Sequence, residues 1–150
     1  MIYEFKTHSI IIENPYKKPT FSLTIGTLEI VVDYDTKQII YIQGFFPLIK
    51  AERAKIRLPK AKQGNFYLSN IDLSNVEPYD IFSLTSKMPQ CKENYEKNVT
   101  IFDEAQGIIQ LGKSYEQEST FMQIGDNLII GHDSALVPQC IYIMPDKFIV

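Results

Sequence analysis

The sequence predicts a mainly β protein. The expected fold is antiparallel, a β-sandwich or open β-barrel built from hairpins, with at most one or two short helices, spanning residues 1–150 as a single domain. Three observations carry this. Short apolar runs alternate with polar residues at period two and are rich in β-branched and aromatic side chains. The segments between them hold Gly, Asp and Asn, which suit tight reversals. Helical periodicity is scarce.

The strands come in order. Phe21-Ser22-Leu23-Thr24-Ile25 places Phe21, Leu23 and Ile25 on one face. Leu28 to Val32 and Ile39 to Ile42 follow, and Phe66-Tyr67-Leu68 is a shorter run. Val99 to Phe102 and Ile108 to Leu111 form another pair, then Phe121 to Ile124, Leu128 to Ile130, and Cys140 to Met144. The reversals at Asp33–Lys37, Asp103–Gly107 and Gly125-Asp126-Asn127 are too short for parallel crossovers, which need about a dozen residues, so they join antiparallel neighbours.

Leu48 to Ile56 reads two ways. Pro47 suits a first helical turn and Pro59 a stop, yet Ala54-Lys55-Ile56-Arg57-Leu58 alternates like a strand. Lys92 to Lys97 is a second, one-turn helix candidate. Tyr79 to Met88, between Pro78 and Pro89, reads as part strand and part loop. Val32 to Ile40 resembles Phe102 to Ile109, each a strand, an acidic turn and a strand opening Ile-Ile. Two hairpins of an all-β protein look alike without duplication, and that is the preferred reading.

Composition narrows the function. The chain has 150 residues, 45% of them hydrophobic, and a net charge of −3. That length buries one real core, and that charge does not suit a dedicated nucleic-acid binder. No leader pattern opens the chain and no apolar run could span a bilayer, so a cytoplasmic protein without nucleic acid or membrane partners is expected. Cys91 and Cys140 are the only thiols, each within Pro-Gln-Cys, and are expected to be reduced and inert. Lys92 would lower the Cys91 pKa slightly.

Chemical motifs are missing. Asp33 and Asp35 open like a calcium loop, but Lys37 and Gln38 stand at its fifth and sixth positions and Gly44 at its twelfth. The acids are better read as turn residues that keep the hairpin tip solvated. His8, Cys91, His132 and Cys140 show no short metal-ligand spacing. His132-Asp133 on a strand would point to opposite faces. Asp103-Glu104 and Glu116 with Glu118 are carboxylate pairs without a spacing rule behind them. No nucleophile elbow or phosphate loop occurs. No enzyme activity, cofactor or metal is therefore expected.

Charge is segregated. Residues 50–62 carry net +5, residues 63–150 net −7 and residues 1–49 net −1. The basic run is either a docking surface or a solvated flank that protects an edge. Lys50, Arg53, Lys55 and Arg57 are the protein-binding candidates on it. Phe45 and Phe46 join them: both rings are expected to pack in the core, and a ring left exposed would be a binding anchor.

The landmarks Ile42-Gln43-Gly44-Phe45-Phe46-Pro47, Leu58-Pro59, Phe102-Asp103 to Leu111-Gly112, and a closing strand at Met144-Pro145 resemble small bacterial proteins of immunity type. The resemblance implies a cytoplasmic partner that neutralises a toxin. Such proteins share no single fold, so no residue roles carry over. The expected function is a non-catalytic protein-binding module, with an immunity-type inhibitor as its specific form. A small-ligand-binding β-barrel is the alternative, and an unrecognised enzyme comes third.

Overall fold

The computed structural model describes residues 1–69, 71–95, 100–112 and 120–150. Its strands are β1 (Ile2–Glu4), β2 (Ser9–Ile11), β3 (Thr20–Ile25), β4 (Leu28–Asp33), β5 (Ile39–Phe45), β6 (Glu52–Arg53), β7 (Lys62–Gln63), β8 (Ile81–Ser83), β9 (Thr100–Asp103), β10 (Ile108–Gly112), β11 (Thr120–Ile124), β12 (Leu128–His132), β13 (Pro138–Ile143) and β14 (Lys147–Ile149). Two short helices, α1 (Leu84–Lys87) and α2 (Lys92–Tyr95), flank a 3₁₀ turn at Pro89–Cys91.

The strands form two sheets of seven, ordered β14-β1-β2-β5-β4-β3-β8 and β6-β9-β10-β13-β12-β11-β7. They do not close into a barrel and are consistent with a β-sandwich. Alternation decides which side chains meet. Phe21, Leu23, Leu28, Ile30 and Ile42 of the first sheet join Phe102, Ile109, Ile130, Ile141 and Ile143 of the second in one core. The space a ligand-binding barrel would keep open is filled by these residues.

The two sheets repeat one plan. In the first, hairpin β1–β2 is followed by the meander β3–β4–β5, in the order β1-β2-β5-β4-β3; in the second, β9–β10 and β11–β12–β13 give β9-β10-β13-β12-β11. Details coincide. Buried Tyr3 and Phe102 sit at the same point of the first strand of each set. The following turns carry positive φ at His8 (52°) and Gly107 (68°). The third-to-fourth strand turns carry Gly26 (60°) and Gly125 (57°). A bulge interrupts β4–β5 at Val31/Val32 and β12–β13 at Gly131/His132. Each half then gives its next strand to the other sheet: β6 pairs with β9, and β14 pairs with β1, both parallel.

The chain is thus an internally duplicated sandwich with exchanged edge strands. The preferred reading, two similar hairpins without duplication, is corrected by this strand order, and the repeat does not align the Asp33 hairpin with the Asp103 hairpin. The counterpart of Asp33 is Asp133, and the counterpart of Asp103 is Glu4.

Other departures are local. All four outermost pairings are parallel, and they link segments far apart in sequence. Tyr79–Met88 contains helix α1 as well as β8, where a loop was expected. Phe66–Leu68 contributes one bridge, Tyr67 to Gln38, and no full strand. Val99 and Lys97, at the edges of two expected elements, lie outside the described residues, as do Glu116 and Glu118.

The segment 48–56 is not a helix. Glu52–Arg53 forms β6, and 54–61 runs without ladder pairing to β7 at the opposite edge of the same sheet. Length explains this. The six strand spacings between β6 and β7, at about 4.8 Å each, amount to about 29 Å. The steps from Arg53 to Lys62 reach roughly 30 Å when extended and only about 14 Å as a helix. A helix could not bridge the two edges, so the segment is a taut strap.

Candidate functional site

Alternation in the second sheet leaves an apolar outer face. Ile108, Phe121, Ile129, Cys140 and Tyr142 are buried there, with Ile101 and Met144 half-covered beside them. The corresponding face of the first sheet is mixed: Ser22 and Gln43 donate to the Glu29 carboxylate at 3.4 and 3.3 Å, beside buried Ile2 and Val31. The outer face of the second sheet is apolar over several strands, and residues 54–61 cover it. Ile56 is the plug: it is 4% exposed and belongs to the outer-face cluster.

The β9–β10 turn latches the strap. The Asp103 carboxylate accepts the Ile56 N–H at 2.8 Å and the Gln106 N–H at 3.1 Å. The Gln106 side-chain amide donates to the Ile56 carbonyl at 2.8 Å. The Ile56 N–H, with the Gln106 amide, holds the Asp103 carboxyl below its ordinary pKa. The residues on either side of an inward Ile56 must point away in an extended chain. Lys55 and Arg57 accordingly are exposed. Among the described residues, the ion pairs are Met1–Asp146 and Lys147–Glu13, and neither reaches Lys50, Lys55 or Arg57.

Arg53 has a different role. Its guanidinium donates to the Leu48 and Ala51 carbonyls at 2.6 and 3.0 Å and lies 5.0 Å over the Phe102 ring. It fastens the start of the strap through Nη1, which makes both of these bonds. Lys60 and Lys62 extend the exposed basic run to the far edge.

The two phenylalanines part company. Phe46 is half-buried against the main core, its N–H donates to the His8 carbonyl at 2.6 Å, and its own carbonyl accepts the Tyr3 hydroxyl at 2.8 Å. Phe45 is 47% exposed, edge-on to the His8 ring at 6.3 Å. One ring is inside and one outside, so the expectation of two core rings fails at Phe45. Lys50 and Phe46 line one cleft, whereas Arg53 and Lys55 line another with Asp103 and Gln106. Phe45 lies in neither.

The remaining reactive groups serve the fold. Asp33 is buried, so it does not solvate the hairpin tip. Its carboxylate accepts the N–H groups of Asp35 and Thr36 at 2.9 and 2.8 Å and the Tyr16 hydroxyl. Those bonds, Tyr16 first, lower its pKa to about 2. His132 turns its Nδ1 to the Asp133 carbonyl oxygen at 2.9 Å, while the Asp133 carboxylate caps Ala135 and Val137. Cys91 and Cys140 are both buried. Burial raises Cys91 to about 12, the reverse of the lowering expected from Lys92. No three His, Cys, Asp or Glu side chains gather into a metal-binding group among the described residues. No helix among them is long and apolar enough to cross a membrane.

Sequence reading identified the basic run but not the residue that organises it. The signal for Ile56 was present: one apolar residue flanked by Lys and Arg, in a stretch that alternates. What could not be read was the apolar face waiting beneath it. Comparison with protein-family models and with curated proteins finds no match to this chain.

Proposed function

We propose that this protein is a non-catalytic protein-binding module whose recognition surface is the basic strap. Lys55, Arg57, Lys60 and Lys62 form its charged crest, and Lys50 stands at its entrance. The partner is a protein with an acidic surface. On the resemblance to immunity-type proteins, that partner is a toxin neutralised in the cytoplasm. The observation that carries the reading is the arrangement around Ile56: a latched, extended backbone displays two exposed cations that make no ion pair among the described residues. Charges held in this way cost little ordering entropy on binding and steer an oppositely charged partner.

The test is a footprint. A partner captured from the native host, with the product of the adjacent gene as the first choice, is mixed with the full chain and the lysines are acetylated. The reading expects protection of Lys55, Lys60 and Lys62, with Lys6, Lys17 and Lys18 modified as in the free protein. Protection confined to those N-terminal lysines would refute it.

A further inference from the structure

The duplication gives the fold two corresponding clefts, each lined from both halves. One lies beside the Gly125 turn and is lined by Met1, Ile12, Asp126, Asn127 and Asp146. The other lies beside the Gly26 turn and is lined by Phe46, Pro47, Lys50, Ala51, Thr100 and Leu111. Their linings correspond. Met1 and Thr100 stand just before the matching residues Ile2 and Ile101, and Ile12 and Leu111 two residues beyond Ile10 and Ile109. Lys147 pairs with Ile2 as Glu52 pairs with Ile101, so Lys50 and Ala51 occupy the places of Pro145 and Asp146.

The two clefts differ in charge: Ala51 stands in the place of Asp146, and Lys50 in the place of Pro145. In the Gly125 cleft, the Asp146 carboxylate holds the Met1 ammonium at 2.7 Å and the Asn127 side-chain amide at 3.0 Å. In the Gly26 cleft no acid pairs with Lys50 among the described residues. Its Thr27 hydroxyl is committed to the Phe45 carbonyl at 2.6 Å, so Lys50 is the one charged side chain in the lining. The walls are apolar: Ile25, Phe46, Pro47 and Leu111. The cleft measures about 260 Å³, room for a pair of side chains and too little for a folded element.

We infer that the Gly26 cleft is the anchor site for the acidic protein partner. It takes a short segment in which a carboxylate adjoins an aromatic or aliphatic side chain. The carboxylate pairs with Lys50, and the apolar neighbour packs on Phe46, Pro47 and Leu111. Interfaces concentrate their energy where an apolar anchor fills a pocket inside a charged rim, and this cleft adjoins the strap in sequence and in charge. The inference rests on the strap reading for the partner's acidity, but the cleft has its own residues and its own probe.

The probe is N-acetyl-Phe-Glu amide, with N-acetyl-Phe-Gln amide as its neutral control, titrated into the isotope-labelled full chain and followed by amide chemical shifts. The Glu peptide is expected to move Gly26, Thr27, Lys50 and Ala51 at millimolar concentration. The Gln peptide should bind about two- to fivefold more weakly, as for a single exposed ion pair. Lys50→Gln should erase the difference between the peptides and leave the remaining spectrum in place. Lys55→Gln with Arg57→Gln should leave the response of the cleft unchanged. Equal shifts from both peptides, or shifts insensitive to Lys50→Gln, would overturn the inference. If the strap is not a partner surface, its lysines fail the footprint while the peptides still bind here. If only the cleft idea is wrong, the footprint stands and the peptides do not discriminate.

Discussion

Truncating Ile56 to Ala tests whether one buried side chain holds the strap down. The side chain is 4% exposed and packs among Ile108, Phe121, Ile129 and Tyr142. Removing a buried Ile side chain to Ala costs about 2–5 kcal/mol, least where the surroundings can close on the gap. The strap is too taut to settle far, but the gap would open on an outer face beside solvent, and the backbone bonds to Asp103 and Gln106 survive the substitution. The expected loss is therefore at the low end, about 2–3 kcal/mol. For a chain of this length that lowers Tm by roughly 5–10 °C. Urea unfolding followed by tyrosine fluorescence gives the global value, and hydrogen exchange at the Ile56 amide reports local release. Exchange at Ile56 should rise further than exchange in β12 and β13, because the strap opens before the sheet does. A change under about 0.5 kcal/mol, the size of an ordinary surface substitution, with unaltered Ile56 exchange would refute the strap as a packed element.

Three further outcomes are expected. Asp33 should stabilise the β4–β5 turn at neutral pH and lose that effect in acid. Its folded pKa is lowered from 3.8 to about 2, so the contribution is complete above the ordinary carboxylate value and fades as pH falls through about 2. The gap in urea midpoint between the parent and Asp33→Asn should thus shrink from pH 7 to pH 2, and a gap that widens in acid would reverse the assignment. Gly44→Ala should cost about 1–3 kcal/mol, because φ is +116° there and the new Cβ would meet the Thr27 carbonyl oxygen at 2.8 Å; a thermal melt unchanged from the parent's would contradict this. Cys91, buried and raised to about 12, should resist a thiol-disulfide reagent at pH 8 until denaturant is added, and rapid labelling of the native protein would show that the site opens.

The sequence made the long strands legible and hid the short ones. The runs around Phe21, Leu28, Ile39, Ile108, Phe121, Leu128 and Cys140 each contain enough residues to display alternation, and each is a strand. β1, β2, β6, β7, β8 and β14 are two or three residues long. Three residues cannot show a period, and these strands exist because a neighbouring edge accepts them. The strap failed as a helix for a related reason: its conformation follows from the distance between two sheet edges, which no local window contains. The duplication was set aside because the two acidic turns look alike without one, whereas the repeat is one of strand order and bulge position. At the site, the charges of Lys50, Lys55 and Arg57 were legible in the sequence. The role of Arg53 as a fastener was not, because its partners are carbonyls set by the fold.

The central claim is that the strap's exposed cations guide an acidic partner onto this face. The association rate of the captured partner with the parent chain and with Lys55→Glu/Arg57→Glu, measured by stopped flow at low and physiological salt, tests it most directly. The claim predicts at least a tenfold slower association for the double reversal at low salt, with a smaller gap at higher salt. Equal association rates at both salt concentrations would contradict it.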